Sequence, residues 1–297
     1  MNTSASTNMT EDFSFSFPDD LEREIFETAA VRNRKEITTL LQVCSRVHAW
    51  IEPLLYRIMV ISSKADYDWL DSVIQSKQSS YLRNAVRHVY LSQMSTKQQA
   101  YKDFLMTISE VVNLLLDQEL DLDLLPALDQ MNLRKLDINV PPSPSEWARL
   151  ILTRPLLTSV THLSLYQRET VDGLDSQSSS GDDWIGLAAL PSLTHLGLSD
   201  NLARIILPRV LAECSRLLLA VVLFWTVPER PAATGFAESL RVLDPRLVVM
   251  LMRRTITVDW TAGANSGDDF WIRADAFVSR KRKGEIDKTV FLLDETK

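Results

Sequence analysis

Seven times between residues 86 and 252, two apolar residues stand three apart with a third two further on. The clearest are Val86-Val89-Leu91, Val111-Leu114-Leu116, Leu133-Leu136-Ile138, Val160-Leu163-Leu165 and Leu193-Leu196-Leu198; Leu218-Val221-Leu223 and Leu247-Met250-Met252 are weaker. Alternation at the last two positions is the period of a strand. The middle positions 89, 114, 136, 163, 196, 221 and 250 lie 22 to 33 residues apart. Helices are predicted between them over 97–109, 144–154, 203–215 and 233–242. A strand and then a helix, repeated, predicts a curved parallel sheet with helices on its convex side.

Upstream the period changes. Pro18, Asp19 and Asp20 mark a helix start, since acidic residues suit the positive end of a helix. Leu21, Ile25, Phe26 and Ala29 form one helical stripe. After the polar RNRKE, the residues Ile37, Leu40, Leu41, Cys44, Val47, His48 and Ile51 form a second, and Pro53 is expected to break or restart that helix. RIMVI, residues 57–61, is a strand candidate. At the other end, Asp268 and Asp269 are N-cap candidates before the stripe Phe270, Trp271, Ala274, Phe277 and Val278; the basic Arg280 to Lys283 and Gly284 close that helix.

The strand pattern and its spacing resemble leucine-rich repeats. VTHLSL and LTHLGL share a lead-in, and Asn201 follows the second. The expected fold is therefore mixed α/β. A helical module at 17–57 is followed by an irregular leucine-rich-repeat-like solenoid of parallel strands at 58–262 and a C-terminal amphipathic helix within 263–297. Residues 1–16 are expected to be disordered, and DGLDSQSSSGDD (172–183) to be a polar loop. A generic α/β sheet is the alternative. In the repeat register His88, Tyr90, Lys135, Asp137, Ser164, Tyr166, Gly197 and Ser199 point outward and are the expected target-binding face. His88, His162 and His195 fall at one equivalent position, which argues for a structural role.

Composition narrows the function. The 297 residues carry a formal net charge of −7, which argues against a general nucleic-acid binder. The two cysteines, Cys44 and Cys214, both lie in apolar runs; they fit small buried hydrophobes in a reducing compartment. The N-terminus lacks a basic and an apolar signal region, and runs such as Leu217 to Trp225 are too short to span a bilayer. A protein of the cytoplasm or nucleus, with no membrane partner, is expected. Cys44 and His48, one turn apart, read as packing rather than a nucleophile pair. The acidic pairs read as solvated caps, and the basic tetrad as a solvated helix end rather than a nuclear localisation signal. No metal-ligand spacing, nucleophile elbow or phosphate-binding glycine loop occurs. No cofactor or metal and no enzymatic activity are expected; a hydrolase or transferase would need a constellation that the sequence does not offer.

FPDDLEREIFETAA and LLQVCSRVHAWIEPLLYR together resemble the F-box, through Pro18, Leu21, Ile25, Phe26, Leu40, Leu41, Val43, Cys44, Arg46, Trp50, Pro53, Leu55 and Tyr56. Phe17 stands where leucine is commoner. With FWIRADAFVSRKRKGEI near the end, the chain is similar to F-box-like proteins abundant in mushroom-forming fungi. The resemblance implies a module that packs against a Skp-type adaptor of a cullin–RING ubiquitin ligase, and repeats that hold a protein substrate. It assigns Pro18, Leu21, Ile25, Leu40, Val43, Cys44, Val47 and Trp50 as adaptor contacts. The alternative is a non-ubiquitin scaffold in which the same helices only cap the solenoid.

Overall fold

Asp19, Asp20 and Glu22 fill the first turn of α1 (Asp19–Arg32), where negative side chains complement the helix dipole. The computed structural model describes residues 17–92, 98–141, 144–167, 181–240 and 244–296. The chain divides into two compact units, Met1–Leu54 and Leu55–Lys297. The expected disorder of 1–16 and most of the loop 172–183 lie outside the described residues.

The first unit holds α1, the single turn α2 (Ile37–Leu40), and most of α3 (Ser45–Tyr56). The stripe expected as one helix from Ile37 to Ile51 is in fact two. The amides of Gln42 and Val43 donate to the carbonyls of Thr39 and Leu40, three residues back, and tighten the chain into a turn. The His48 ring nitrogen Nδ1 lies 3.0 Å from the Leu41 carbonyl oxygen that the break leaves over. Pro53 does not end α3 but lies within it.

The second unit alternates strands with helices. The strands are β1 (Ile58–Ile61), β2 (His88–Ser92), β3 (Asn113–Glu119), β4 (Lys135–Asn139), β5 (His162–Tyr166), β6 (His195–Ser199), β7 (Leu219–Phe224), β8 (Leu247–Leu251) and β9 (Leu292–Asp294). Each pairs in parallel with the next in sequence, in one sheet ordered β1 to β9. Parallel neighbours need crossovers. The connecting helices are α4 (Lys64–Ser76), α5 (Ser79–Ala85), α6 (Gln98–Thr107), α7 (Leu125–Leu128), α8 (Pro144–Ile151), α9 (Gly186–Ala189), α10 (Asp200–Glu213) and α11 (Arg230–Ser239). Two further helices, α12 (Ile256–Ser266) and α13 (Phe270–Arg282), separate β8 from β9. The fold is mixed α/β with an all-parallel sheet in solenoid-like order, as the sequence pattern predicted.

Register follows the pattern in the first strands and departs from it in the last. Val89, Leu114, Leu136, Leu163 and Leu196 form one cross-strand row. The row continues through Ala220 and Leu247, not Val221 and Met250. Strands β7 and β8 are buried at every position. A strand that is apolar on both faces carries no alternation from which to read its register.

One sheet face and the crossover helices form the larger core, in which Leu114, Leu136, Leu163 and Leu196 meet helix residues such as Leu70, Phe104, Trp147 and Ile206. On the other face, β7 and β8 pack with Phe270, Trp271, Ala274, Phe277 and Val278 of α13. Tyr90 and Leu115 pack there with Trp260 of α12. Residues 263–297, expected to be a separate segment, thus belong to the sheet unit. Asp269 caps α13 as expected, accepting from the Ile272 amide. Gly267, at φ +78°, makes the left-handed turn between the two helices. Gly197 leaves room for Trp271, since a Cβ there would stand 3.2 Å from the indole.

Three local expectations change. The basic tetrad is not uniformly solvated: Lys281 is buried, its ammonium 4.2 Å from the centre of the Phe291 ring, and burial lowers its pKa. Asp183 is buried and accepts from Arg149 at 2.7 Å rather than being a solvated loop carboxylate. Cys214 is buried but Cys44 is exposed.

The packing of α13 makes a test. Trp271 is 2% exposed and its neighbour Ile272 is 55% exposed. Trp271→Ala is expected to cost about 3–5 kcal/mol in urea unfolding, and Ile272→Ala about 0.5 kcal/mol or less. Equal effects would mean that α13 does not pack on the sheet as described.

Candidate functional site

The expected target face is real in register but not open. The row His88, Asn113, Lys135, His162 and His195 crosses five neighbouring strands. Tyr90, Asp137, Ser164, Tyr166, Gly197 and Ser199 follow on the same face. Tyr90, Asp137, Ser164, Tyr166 and Ser199 are buried, while His88 and Lys135 are half-buried. The reason is the cover from α12 and α13. Thr257 donates to the Tyr90 hydroxyl at 3.0 Å and the Trp260 indole to Asn113 at 3.1 Å. Lys135 pairs with Asp269 at 2.5 Å. Buried polar groups are tolerated when they find partners, and for Tyr90, Asn113 and Lys135 the same chain supplies them. Most of these residues therefore form an internal seam rather than the outward surface that the sequence suggested, while Tyr166 and Ser199, at the strand ends, line a cavity.

His162 and His195, though not His88, pack as the structural reading expected. His162 and His195 stack with ring centres 4.0 Å apart, and Trp271 meets both edge-on. His195 Nε2 lies 3.1 Å from Asp275 of α13. Burial, the neighbouring His195 and Lys135 push the His162 pKa down to about 3. Burial also lowers that of His195, against the pull of Asp275. On the same face burial pushes the Asp137 carboxyl up to about 6, although the Tyr166 hydroxyl donates to it at 3.1 Å and Lys135 is near.

Two surfaces stand out among the described residues. The first lies on the N-terminal unit. Phe17, Leu21, Ile25 and Val43 are 49 to 64% exposed, and Pro18 and Cys44 are exposed with them. Positions 17, 21 and 25 follow one line along α1 and the residues just before it. Arg46 bonds Asp19 at 2.8 Å and also Glu22, tying the first turn of α3 to the first turn of α1. Val43 and Cys44, immediately before α3, are thereby brought beside the start of α1. Of the expected adaptor contacts, Leu40 and Trp50 are half-buried, with the Arg46 guanidinium 5.3 Å from the Trp50 ring centre. Val47 is fully buried, a correction: its place on the inner side of α3 removes it from any docking surface. Phe17, noted only as a departure from the family pattern, is the most exposed apolar side chain of the group.

The second is a cavity of about 510 Å³ at the carboxyl ends of the middle strands. Its walls include Asp117, Asn139, Ser199, Asp200, Trp225 and Glu229. Sequence reasoning named two of its lining residues, Tyr166 and Ser199, but did not bring the others together with them. The signal was there: the strand cores LLLD, LDIN and LGLSDN each end in an acid or an amide.

The buried Asp137 yields a pH test. Its folded pKa near 6 lies above the ordinary 3.8, so the native state holds the proton longer than the unfolded chain. Stability from this group falls as pH rises from about 4 to 6, by on the order of 2–3 kcal/mol. His162 acts oppositely, losing stability as pH falls from about 6.5 towards 3, and is common to both proteins compared. Asp137→Asn is therefore expected to gain stability over wild type at pH 7 but not at pH 4, read from urea midpoints. A difference independent of pH would contradict the buried, uncompensated carboxyl.

No family model matches the chain, and no curated protein or solved structure matches it either.

Proposed function

We propose that the N-terminal unit is an F-box-type docking module and that the chain is a substrate-receptor subunit of a cullin–RING ubiquitin ligase. The observation that carries this reading is the exposed apolar group Phe17, Leu21, Ile25 and Val43 on a small, otherwise charged helical unit. Apolar side chains cost little when scattered singly, but a cluster marks a surface that another protein completes. Leu21, Ile25 and Val43 are among the positions through which residues 17–61 resemble the F-box, and Phe17 stands where leucine is commoner. The partner is a Skp-type adaptor whose apolar helices accept these side chains.

The mechanism is proximity. The module fixes the chain to the ligase, and the sheet unit holds a protein target at high effective concentration near the ubiquitin-charged enzyme. On this reading the chain performs no chemistry and needs no metal or cofactor. Its place of work is the cytoplasm or the nucleus. No helix among the described residues is long and apolar enough to cross a membrane. The target contacts lie towards the carboxyl ends of the strands, beyond the stretch of the sheet face that α12 and α13 cover.

The test is co-purification of the full-length chain with a Skp-type adaptor, beside Leu21→Asp/Ile25→Asp. Both side chains are exposed, so the variant is expected to keep the wild-type circular dichroism spectrum and melting temperature. Adaptor binding is expected to fall by at least tenfold per residue, the range of interface anchors. A wild-type chain that fails to bind, or a folded variant that binds as well, overturns the reading.

A further inference from the structure

Open α/β sheets bind ligands outside the carboxyl ends of their strands, and the cavity of about 510 Å³ lies there, inside the usual range for small ligands and single side chains. We propose that it takes a guanidinium group, an arginine side chain of the protein target. This deepens the receptor reading above and rests on it for the source of the arginine.

The walls exclude most other chemistries. No lysine or arginine is among the cavity's lining residues, so an anionic ligand finds no counter-charge. Asp200 stands in the first turn of α10 and makes no ion pair among the described residues. Glu229 is fixed by neutral donors: its oxygens accept from the Trp225 amide at 2.8 Å and the Thr226 hydroxyl at 2.9 Å. The starts of α10 and α11 each contribute about half a positive charge. The two full carboxylates of Asp200 and Glu229 outweigh them. The site is net negative.

Asn139 makes the cavity more than a set of acids. It is 4% exposed and lines the wall. Its Nδ2 donates to Asp117 at 3.4 Å, and its Oδ1 receives no hydrogen bond among the described residues. Nor is that oxygen among the sealed unpaired atoms, so it looks into the cavity and lacks a donor. Trp225, half-buried beside it, meets Tyr166 edge-on at 5.2 Å and adds an aromatic wall. Carboxylates, a lone carbonyl acceptor and an indole suit a planar group that has five donors, no acceptor and a stacking face. That group is guanidinium rather than ammonium.

The experiment titrates the full-length chain, without adaptor, by ligand-observed NMR and calorimetry. The probes are end-blocked glycyl-arginyl-glycine, its citrulline counterpart, which keeps the shape and loses the charge, and spermidine. The arginine peptide is expected to bind at least tenfold more tightly than the citrulline peptide. Asp200→Asn is expected to weaken it about tenfold, and Ala232→Lys, which puts a competing cation on the exposed rim, to abolish it. Both variants should keep the wild-type melting temperature. Should either fail to fold, the other carries the test. Equal binding of arginine and citrulline, no binding, or binding that a folded variant leaves unchanged overturns the proposal. Spermidine binding more tightly than the peptide assigns the cavity to a free polyamine and overturns the target assignment. Adaptor capture by Ala232→Lys is expected to be unchanged, so failure of this site and failure of the docking module read out separately.

Discussion

The seam between the sheet and the α12–α13 pair governs what this molecule can do. One face of the sheet is lined by His88, Asn113, Lys135, His162 and His195, with Tyr90, Asp137 and Ser164 behind them. Such a face has two stable fates, water or a partner that answers each polar group. Here the same chain answers Asn113, Lys135 and His195. Trp260 meets Asn113, Asp269 meets Lys135, Asp275 meets His195, and Trp271 closes over the stacked imidazoles. The helix pair is braced in turn by Asp259, which accepts from the Phe270 amide at 2.8 Å and from Arg273 at 2.5 Å. These contacts gain only modest net stability each. Their effect is on geometry: they admit one seating of the helices, and the apolar burial of Phe270, Trp271, Ala274 and Phe277 supplies most of the stabilisation.

That seating decides where binding can occur. A bare parallel sheet with helices on one side offers its open face to partners, and the sequence invited that expectation. With the face closed, the sheet unit keeps its strand-end rim, where polar residues follow each apolar core. The two available surfaces then differ in kind. The N-terminal group Phe17, Leu21, Ile25 and Val43 is apolar and exposed. The rim cavity is concave and acidic, suited to a single cationic group. If the chain is the receptor proposed above, that difference keeps either partner from competing well for the other's surface.

How much was legible depends on whether a signal was local. Strands β2 to β6 could be read in register from Val89, Leu114, Leu136, Leu163 and Leu196, since each has a buried apolar core bounded by polar residues. Strands β7 and β8 could not, because Leu219 to Phe224 and Leu247 to Leu251 are buried on both sides and alternation vanishes. The stripe of α13 was visible, but its docking place was not: Lys135 and Asp269 are paired across 134 residues. The break between Leu41 and Ser45 escaped because apolar spacing persisted through the turn. The cavity escaped for a different reason. Asp117, Asn139, Ser199 and Glu229 come from different strands and loops, and each alone is an ordinary strand-end polar residue.

Asp137 shows how the covered face trades against stability. An aspartate at the centre of a sealed seam resists ionisation, and its pKa near 6 means that the native state carries an unfavourable charge at neutral pH. His162 beside it resists protonation just as firmly. Asp137 weakens the fold as pH rises above about 4 and His162 as pH falls below about 6.5, so in the overlap the two trends offset and no pH relieves both. A surface evolved to meet solvent would relieve both by hydration. Their persistence is what a face fixed by its own C-terminal helices entails: the polar row is needed to seat those helices, and the charge penalty is the consequence of closing over it.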